Sequence, residues 1–162
     1  TIRKFENMGL DIELIEQPVK AHDFEGLKYV TDNVETNIMA DESAFGPYEV
    51  FKLLSMRACD LINIKLMKAG GLHNAIKIVN LAETMGVQCM MGCMLESKVG
   101  ITAAASLAAG KKIITKGDLD AAVLLAKDPI VGGVRFSQNK IMMTEAPGLG
   151  ITDVEGWQEI KG

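Results

Sequence analysis

Leu61-Ile62-Asn63-Ile64-Lys65 decides how this chain is read, because a short apolar run ends on one charged residue and a helical stretch follows beyond Gly70-Gly71. Asn37-Ile38-Met39-Ala40-Asp41 has the same form, and so has Asp11-Ile12-Glu13-Leu14-Ile15-Glu16. Glu16, Asp41 and Lys65 therefore recur at intervals of about 25 residues, the length that a strand, a loop and a helix occupy. Two further runs, 89–95 and 112–116, continue the series, and Asp118 and Asp120 follow the last of them.

The pattern predicts five strands over 11–16, 37–41, 61–66, 89–95 and 112–116, with helices near 23–34, 47–58, 71–85 and 97–109. Pro47 suits a first helical turn, Gly86 a helix end, and Ser97 a helix cap. Repeated strand-then-helix order makes the fold class α/β, a parallel sheet covered by helices. Residues that close parallel strands share one rim, so the charged strand ends are expected to meet. Thr1–Met8 reads as a helix ending at Gly9 with no cap ahead of it, which leads us to expect a piece of a longer protein.

Beyond residue 129 the rhythm stops. Gly132-Gly133-Val134-Arg135-Phe136 and the residues after it predict two short strands around Ser137-Gln138-Asn139-Lys140, and Pro147-Gly148-Leu149-Gly150 punctuates the exit. Residues 1–129 are thus read as the β/α portion, and 130–162 as a C-terminal β tail packing on it or on another domain.

Composition narrows the function classes. A net charge of −4 over 162 residues leaves no basic stripe for nucleic acid. No apolar run approaches the ~20 residues of a membrane span. Cys59, Cys89 and Cys93 are odd in number and lack CxxC spacing, which fits buried thiols in a reducing cytoplasm better than a disulfide framework.

Glu16 and Asp41 suit a hard divalent cation such as Mg²⁺, which prefers oxygen ligands and keeps water or substrate oxygens. Lys65, one unit further on, could remove a proton from a carbon beside a carboxylate, with desolvation and the cation lowering its pKa. Each residue alone also fits a strand cap, a solvated turn or a snorkelling rim lysine, and Lys68 competes with Lys65 as the base. Asp118-Leu119-Asp120 could present two carboxylates to an ammonium group, or form a solvated loop. Gly70-Gly71 could admit an anion or simply shape a tight loop, and His22 and His73 read as structural or surface residues.

Taken together, Ile15-Glu16-Gln17-Pro18, Ala40-Asp41-Glu42-Ser43 and Asn63-Ile64-Lys65-Leu66-Met67-Lys68-Ala69-Gly70-Gly71 resemble the C-terminal barrel portion of the enolase superfamily, in its muconate-lactonizing-enzyme subgroup. Within that subgroup the chain is most similar to the dipeptide epimerases. The resemblance implies a TIM-like (β/α)7β barrel, of which about five strands lie here. It implies Glu16 and Asp41 as Mg²⁺ ligands and Lys65 as an acid/base group. Cys93 and Met94 fall at the substrate-facing end of a strand, and Asp118 and Asp120 match the pair that holds a dipeptide's free ammonium.

The implied activity is 1,1-proton transfer at the α-carbon of a dipeptide such as L-Ala-D/L-Glu. A second lysine, a first metal-binding Asp, the first barrel strands and an N-terminal capping domain are expected ahead of Thr1, so the chain alone is expected to be inactive. Open sheet edges favour self-association. Cycloisomerases of muconate or chloromuconate, o-succinylbenzoate synthase and N-acylamino-acid racemase are the enzyme alternatives. Asp118 and Asp120 argue against them, because those substrates need no ammonium partner. A noncatalytic half-barrel interaction module is the alternative outside enzymes.

Overall fold

The computed structural model describes residues 1–158, so 159–162, the end of the tail read as 130–162, lie outside the described residues. Its elements run α1 (Ile2–Asn7), β1 (Leu14–Glu16), α2 (Phe24–Thr31), β2 (Asn37–Ala40), α3 (Pro47–Met56), β3 (Leu61–Lys65), α4 (Leu66–Ala69) and α5 (Leu72–Met85). There follow β4 (Gln88–Gly92), α6 (Lys98–Gly110), β5 (Ile114–Gly117), a 3₁₀ turn (Ala121–Leu124), β6 (Ile130–Gly132), β7 (Arg135–Ser137), β8 (Lys140–Met142) and β9 (Ile151–Val154).

Local signals placed most of these boundaries. Pro47 opens α3, and Gly86 ends α5 in the left-handed region at φ 68°, where a Cβ would be strained. Ser97 does precede α6, but its side chain makes no capping hydrogen bond. Residues 11–13 stay outside β1, and β4 stops at Gly92, which leaves Cys93, Met94 and Leu95 in a loop. Gly70 and Gly71, at φ 81° and 104°, turn the chain between α4 and α5.

The first five strands form one sheet in the order β1-β2-β3-β4-β5, parallel throughout. A flat sheet would hold β1 and β5 about 19 Å apart, four inter-strand spacings. Lys116 of β5 nevertheless pairs with Glu13 beside β1, so the sheet is curled. Side chains alternate across it. Ile62 and Ile64 of β3 enter the large cluster shared with Leu27, Val50, Leu53, Ile78, Val79 and Ile101 of the helices. Leu61 instead joins Met39, Met90 and Leu14 in a small separate cluster on the inner face. Asn63 and Lys65 share that inner face by the period of two, one and two layers nearer the rim.

The tail contains the expected hairpin, β7 with β8, turning at Gln138-Asn139 with Gln138 at φ 53°. Its second pair, β6 with β9, runs antiparallel between segments too far apart for a local turn signal to announce. Two contacts fasten α6 to the tail and to the segment just before it. Lys98 Nζ lies 2.7 Å from Asp128 Oδ2, and the fully buried Thr102 Oγ1 accepts from Val134 N–H at 3.1 Å while donating to Lys98 O.

Thr102→Val keeps the shape of that side chain but orphans the buried Val134 N–H, which should cost about 1–3 kcal/mol of stability. Urea unfolding of the full-length protein, with amide exchange at Val134, measures it. Unchanged stability and protection would mean that the tail is held elsewhere.

Candidate active site

The rim is built from the strand ends. Glu16 is the last residue of β1, Asp41 follows β2, and Lys65 is the last residue of β3. Gln17 sets the spacing between the first two. At φ 41° its backbone turns into the left-handed region, and its Oε1 accepts from the N–H groups of Asp41 and Ser43 at 2.9 and 3.1 Å. Its Nε2 donates to Ser43 Oγ at 2.8 Å, locking the loop after β2 against the loop after β1.

Asp41 is 5 % exposed and is the centre of the charge distribution. Lys65 Nζ donates to its Oδ2 at 2.8 Å, and Lys68 pairs with its Oδ1. Lys68 also donates to the carbonyl oxygens of Asp41 and Asn63, at 2.5 and 3.2 Å. Burial pushes the Asp41 carboxyl up, yet the two lysines outweigh it and hold the group below the ordinary carboxylate value. For Lys65, burial works downward, but Asp41, Glu16 and Glu42 together raise it. Lys68 moves the other way, since its deeper burial outweighs the Asp41 partner.

Two further residues complete the rim and were not singled out by the sequence. Asn63 Nδ2 donates to Glu16 Oε1 at 2.7 Å. Gly92, buried at the end of β4, leaves the room that this needs: a Cβ there would lie 2.4 Å from Asn63 Oδ1 and 3.0 Å from Lys65 Cε. Polarity inside an apolar strand was the available signal for Asn63.

Asp41, Lys65, Lys68 and Met94 line a cleft of about 600 Å³, walled by Phe24 and Phe45 and edged by His22. Glu16 and Gln17 line an adjoining hollow that shares Asp41 and Glu42. Asp118 and Asp120 lie apart from these, both exposed, in a cleft of about 240 Å³ between the end of β5 and the β7–β8 hairpin. Leu119 between them is buried, so the alternation expected of the pair is present. Cys93 is half-buried beside the core, and burial raises its thiol above the ordinary value.

The donor set fits a hard divalent cation in part. Glu16 and Asp41 offer carboxylate oxygens, the ligands Mg²⁺ prefers, and the Asp41 carboxylate already gathers two ammonium groups. Among the described residues no three His, Cys, Asp or Glu side chains converge, so the pair supplies fewer than the roughly six oxygens of a full shell.

Comparison with known proteins places the chain in a family. The model of the family described as Enolase C-terminal domain-like matches residues 1–155. The chain belongs to that family. Its relatives include the L-Ala-D/L-Glu epimerase of Clostridium acetobutylicum, 58 % identical over 153 residues, which cover 94 % of this chain and 43 % of the relative. The substrate-liganded L-Ala-D/L-Glu epimerase of Bacillus subtilis superposes with a TM-score of 0.92 at 54 % identity, over 94 % of this chain and 43 % of that one. The Enterococcus faecalis dipeptide epimerase, complexed with Mg and the dipeptide L-Leu-L-Tyr, superposes with a TM-score of 0.88 at 49 % identity, over 94 % and 44 %. The chain thus spans less than half the length of these relatives. Their names bear out the resemblance to dipeptide epimerases within the enolase superfamily. Among the described residues no helix is long and apolar enough to cross a membrane.

Gly92→Ala should displace Asn63 and Lys65 by several tenths of an ångström or more. A misplacement on that scale can cost up to ~10²-fold in rate. Steady-state kinetics of the full-length variant would test it, and a wild-type kcat/KM would show that both side chains move aside freely.

Proposed function

We propose that this chain is the C-terminal barrel portion of a Mg²⁺-dependent dipeptide epimerase, acting on a dipeptide such as L-Ala-D/L-Glu by 1,1-proton transfer. The observation that carries the reading is the meeting of Lys65 with the Asp41 carboxylate at the mouth of the larger cleft. Glu16 and Asp41 would hold the cation, which supplies positive charge beside the carbon that gives up its proton. Lys65 Nζ, in its neutral form, takes the α-proton from one face and becomes the ammonium. Inversion needs an acid/base group on the other face, which comes from a second lysine outside these residues. Lys68 is unsuited to that task, since its Nζ is held by three oxygens of Asp41 and Asn63.

Asp118 and Asp120 receive the substrate's free ammonium in the cleft beneath the hairpin, and Met94 faces the bound dipeptide; Cys93 supports that loop from beside the core. Earlier barrel strands and a capping domain complete the enclosure. The relatives' greater length supports that reading. Within the tail, residues 130–158 close the β5 side, supported by the contact of Val134 with α6. Exposed Tyr29, Tyr48, Phe51 and Met67 support self-association, and three free cysteines support a cytoplasmic setting.

The first test incubates the full-length protein with Mg²⁺ and L-Ala-L-Glu in D₂O and follows deuterium at the α-carbon by mass spectrometry. Exchange is expected, lost with Lys65→Ala and absent from the isolated chain. No exchange on any dipeptide tried would sink the epimerase reading. Asp118→Asn with Asp120→Asn should lower kcat/KM for free dipeptides at least ~10-fold and spare N-acylated ones. An equal loss on both would turn the reading toward an acylamino-acid racemase.

A further inference from the structure

Asn63 is the buried polar group of the rim that the proposed chemistry leaves without a task. It sits in the middle of β3, 1 % exposed, with Leu61 and Lys65 on the same inner face. Its bond to Glu16 Oε1 at 2.7 Å joins β3 to β1, which are not neighbours, since β2 lies between them. Asn63 Oδ1 is buried and has no partner among the described residues. Reversing the amide would not help, because Oδ1 would then face the Glu16 carboxylate, acceptor against acceptor.

An unpartnered buried acceptor costs stability, and an apolar side chain of similar volume would avoid that cost. What the carboxamide gains is one charge-assisted bond to an exposed glutamate. That bond occupies Oε1 and leaves Oε2 with no hydrogen-bond partner among the described residues. A long side chain that would otherwise sample many rotamers is thereby held at the rim beside Asp41. Gly92 belongs to the same device, since any Cβ there would strike the Asn63 amide.

We propose that Asn63 is a positioning residue, fixing one Glu16 oxygen so that the other is presented to a divalent cation. The inference rests on the reading that Glu16 and Asp41 hold that cation. Outer partners of ligating carboxylates are worth about 10–100-fold in metal affinity, which sets the expected size.

The test measures Mn²⁺ affinity of the metal-stripped full-length protein by electron paramagnetic resonance of the free ion, alongside the melting temperature without metal. Asn63→Leu should weaken Mn²⁺ binding about 10–100-fold with a melting temperature equal to or above wild type. Leu61→Ala, on the same face but away from the carboxylate, should lower the melting temperature and leave the affinity alone. Glu16→Gln should weaken binding too, and adding Asn63→Leu to it should weaken binding no further. If Asn63→Leu does not fold, Asn63→Ala takes its place, with the same loss of affinity expected and a melting temperature lowered by the cavity it leaves. Affinity within twofold of wild type for the Asn63 variant, with Glu16→Gln impaired, overturns the positioning role alone. Wild-type affinity in Glu16→Gln overturns the metal reading and the inference with it.

Discussion

The Asp41 carboxylate is almost wholly withdrawn from water, and a charge in that position must be matched by opposite charge. Two lysines answer it, one from the end of β3 and one from the turn α4. Their presence ties β2 to the following unit and fixes where the loop after β2 can go. The pull is mutual but unequal. Lys65 keeps enough solvent to profit from the carboxylate, whereas Lys68 is buried deeply enough that desolvation prevails. A pair of chemically identical side chains, three positions apart, is thus set to different basicities by depth and by the charges around each.

This arrangement depends on the division of the curled sheet into two faces. On the helical side, Ile38, Ile62, Ile64, Cys89 and Met91 merge with the helices into the main core. On the inner side the lower layer is apolar, from Leu14, Met39, Leu61 and Met90, and the polar groups lie above it toward the rim. The apolar layer keeps water from the base of the rim and so strengthens the charge interactions above. Gln17 and Asn63 then act as struts between strands, carrying hydrogen bonds where the backbone ladder cannot reach.

Much of the scaffold was legible in the sequence because its signals are local. Apolar runs of strand length, Pro47 at a helix start and Gly9 and Gly86 at helix ends each act within a few residues of themselves. The tail hairpin was legible for the same reason, as its two strands are joined by two residues. The β6–β9 pair was not, since its partners meet only after an intervening hairpin. Ser97 shows the limit of a local rule: the residue type is right for a cap, but its hydroxyl makes no capping bond.

At the site, the period of strand ends was enough to bring Glu16, Asp41 and Lys65 to one rim, because parallel strands all end on the same side of the sheet. The ladder itself is staggered and sets Glu16 opposite Met39. The sequence also set the Asp118-Leu119-Asp120 alternation, which follows from backbone geometry alone. Tertiary structure alone decided which lysine faces which oxygen, how deeply each is buried, and therefore the direction in which each pKa moves. It alone placed the Asn63 amide over Gly92 and against Glu16, residues separated in sequence by 29 and 47 positions, the first brought near by the β3–β4 ladder and the second reached across β2. Periodicity fixes the side of a strand that a residue occupies, but distance across strands and withdrawal from water arise only when the whole sheet closes on itself.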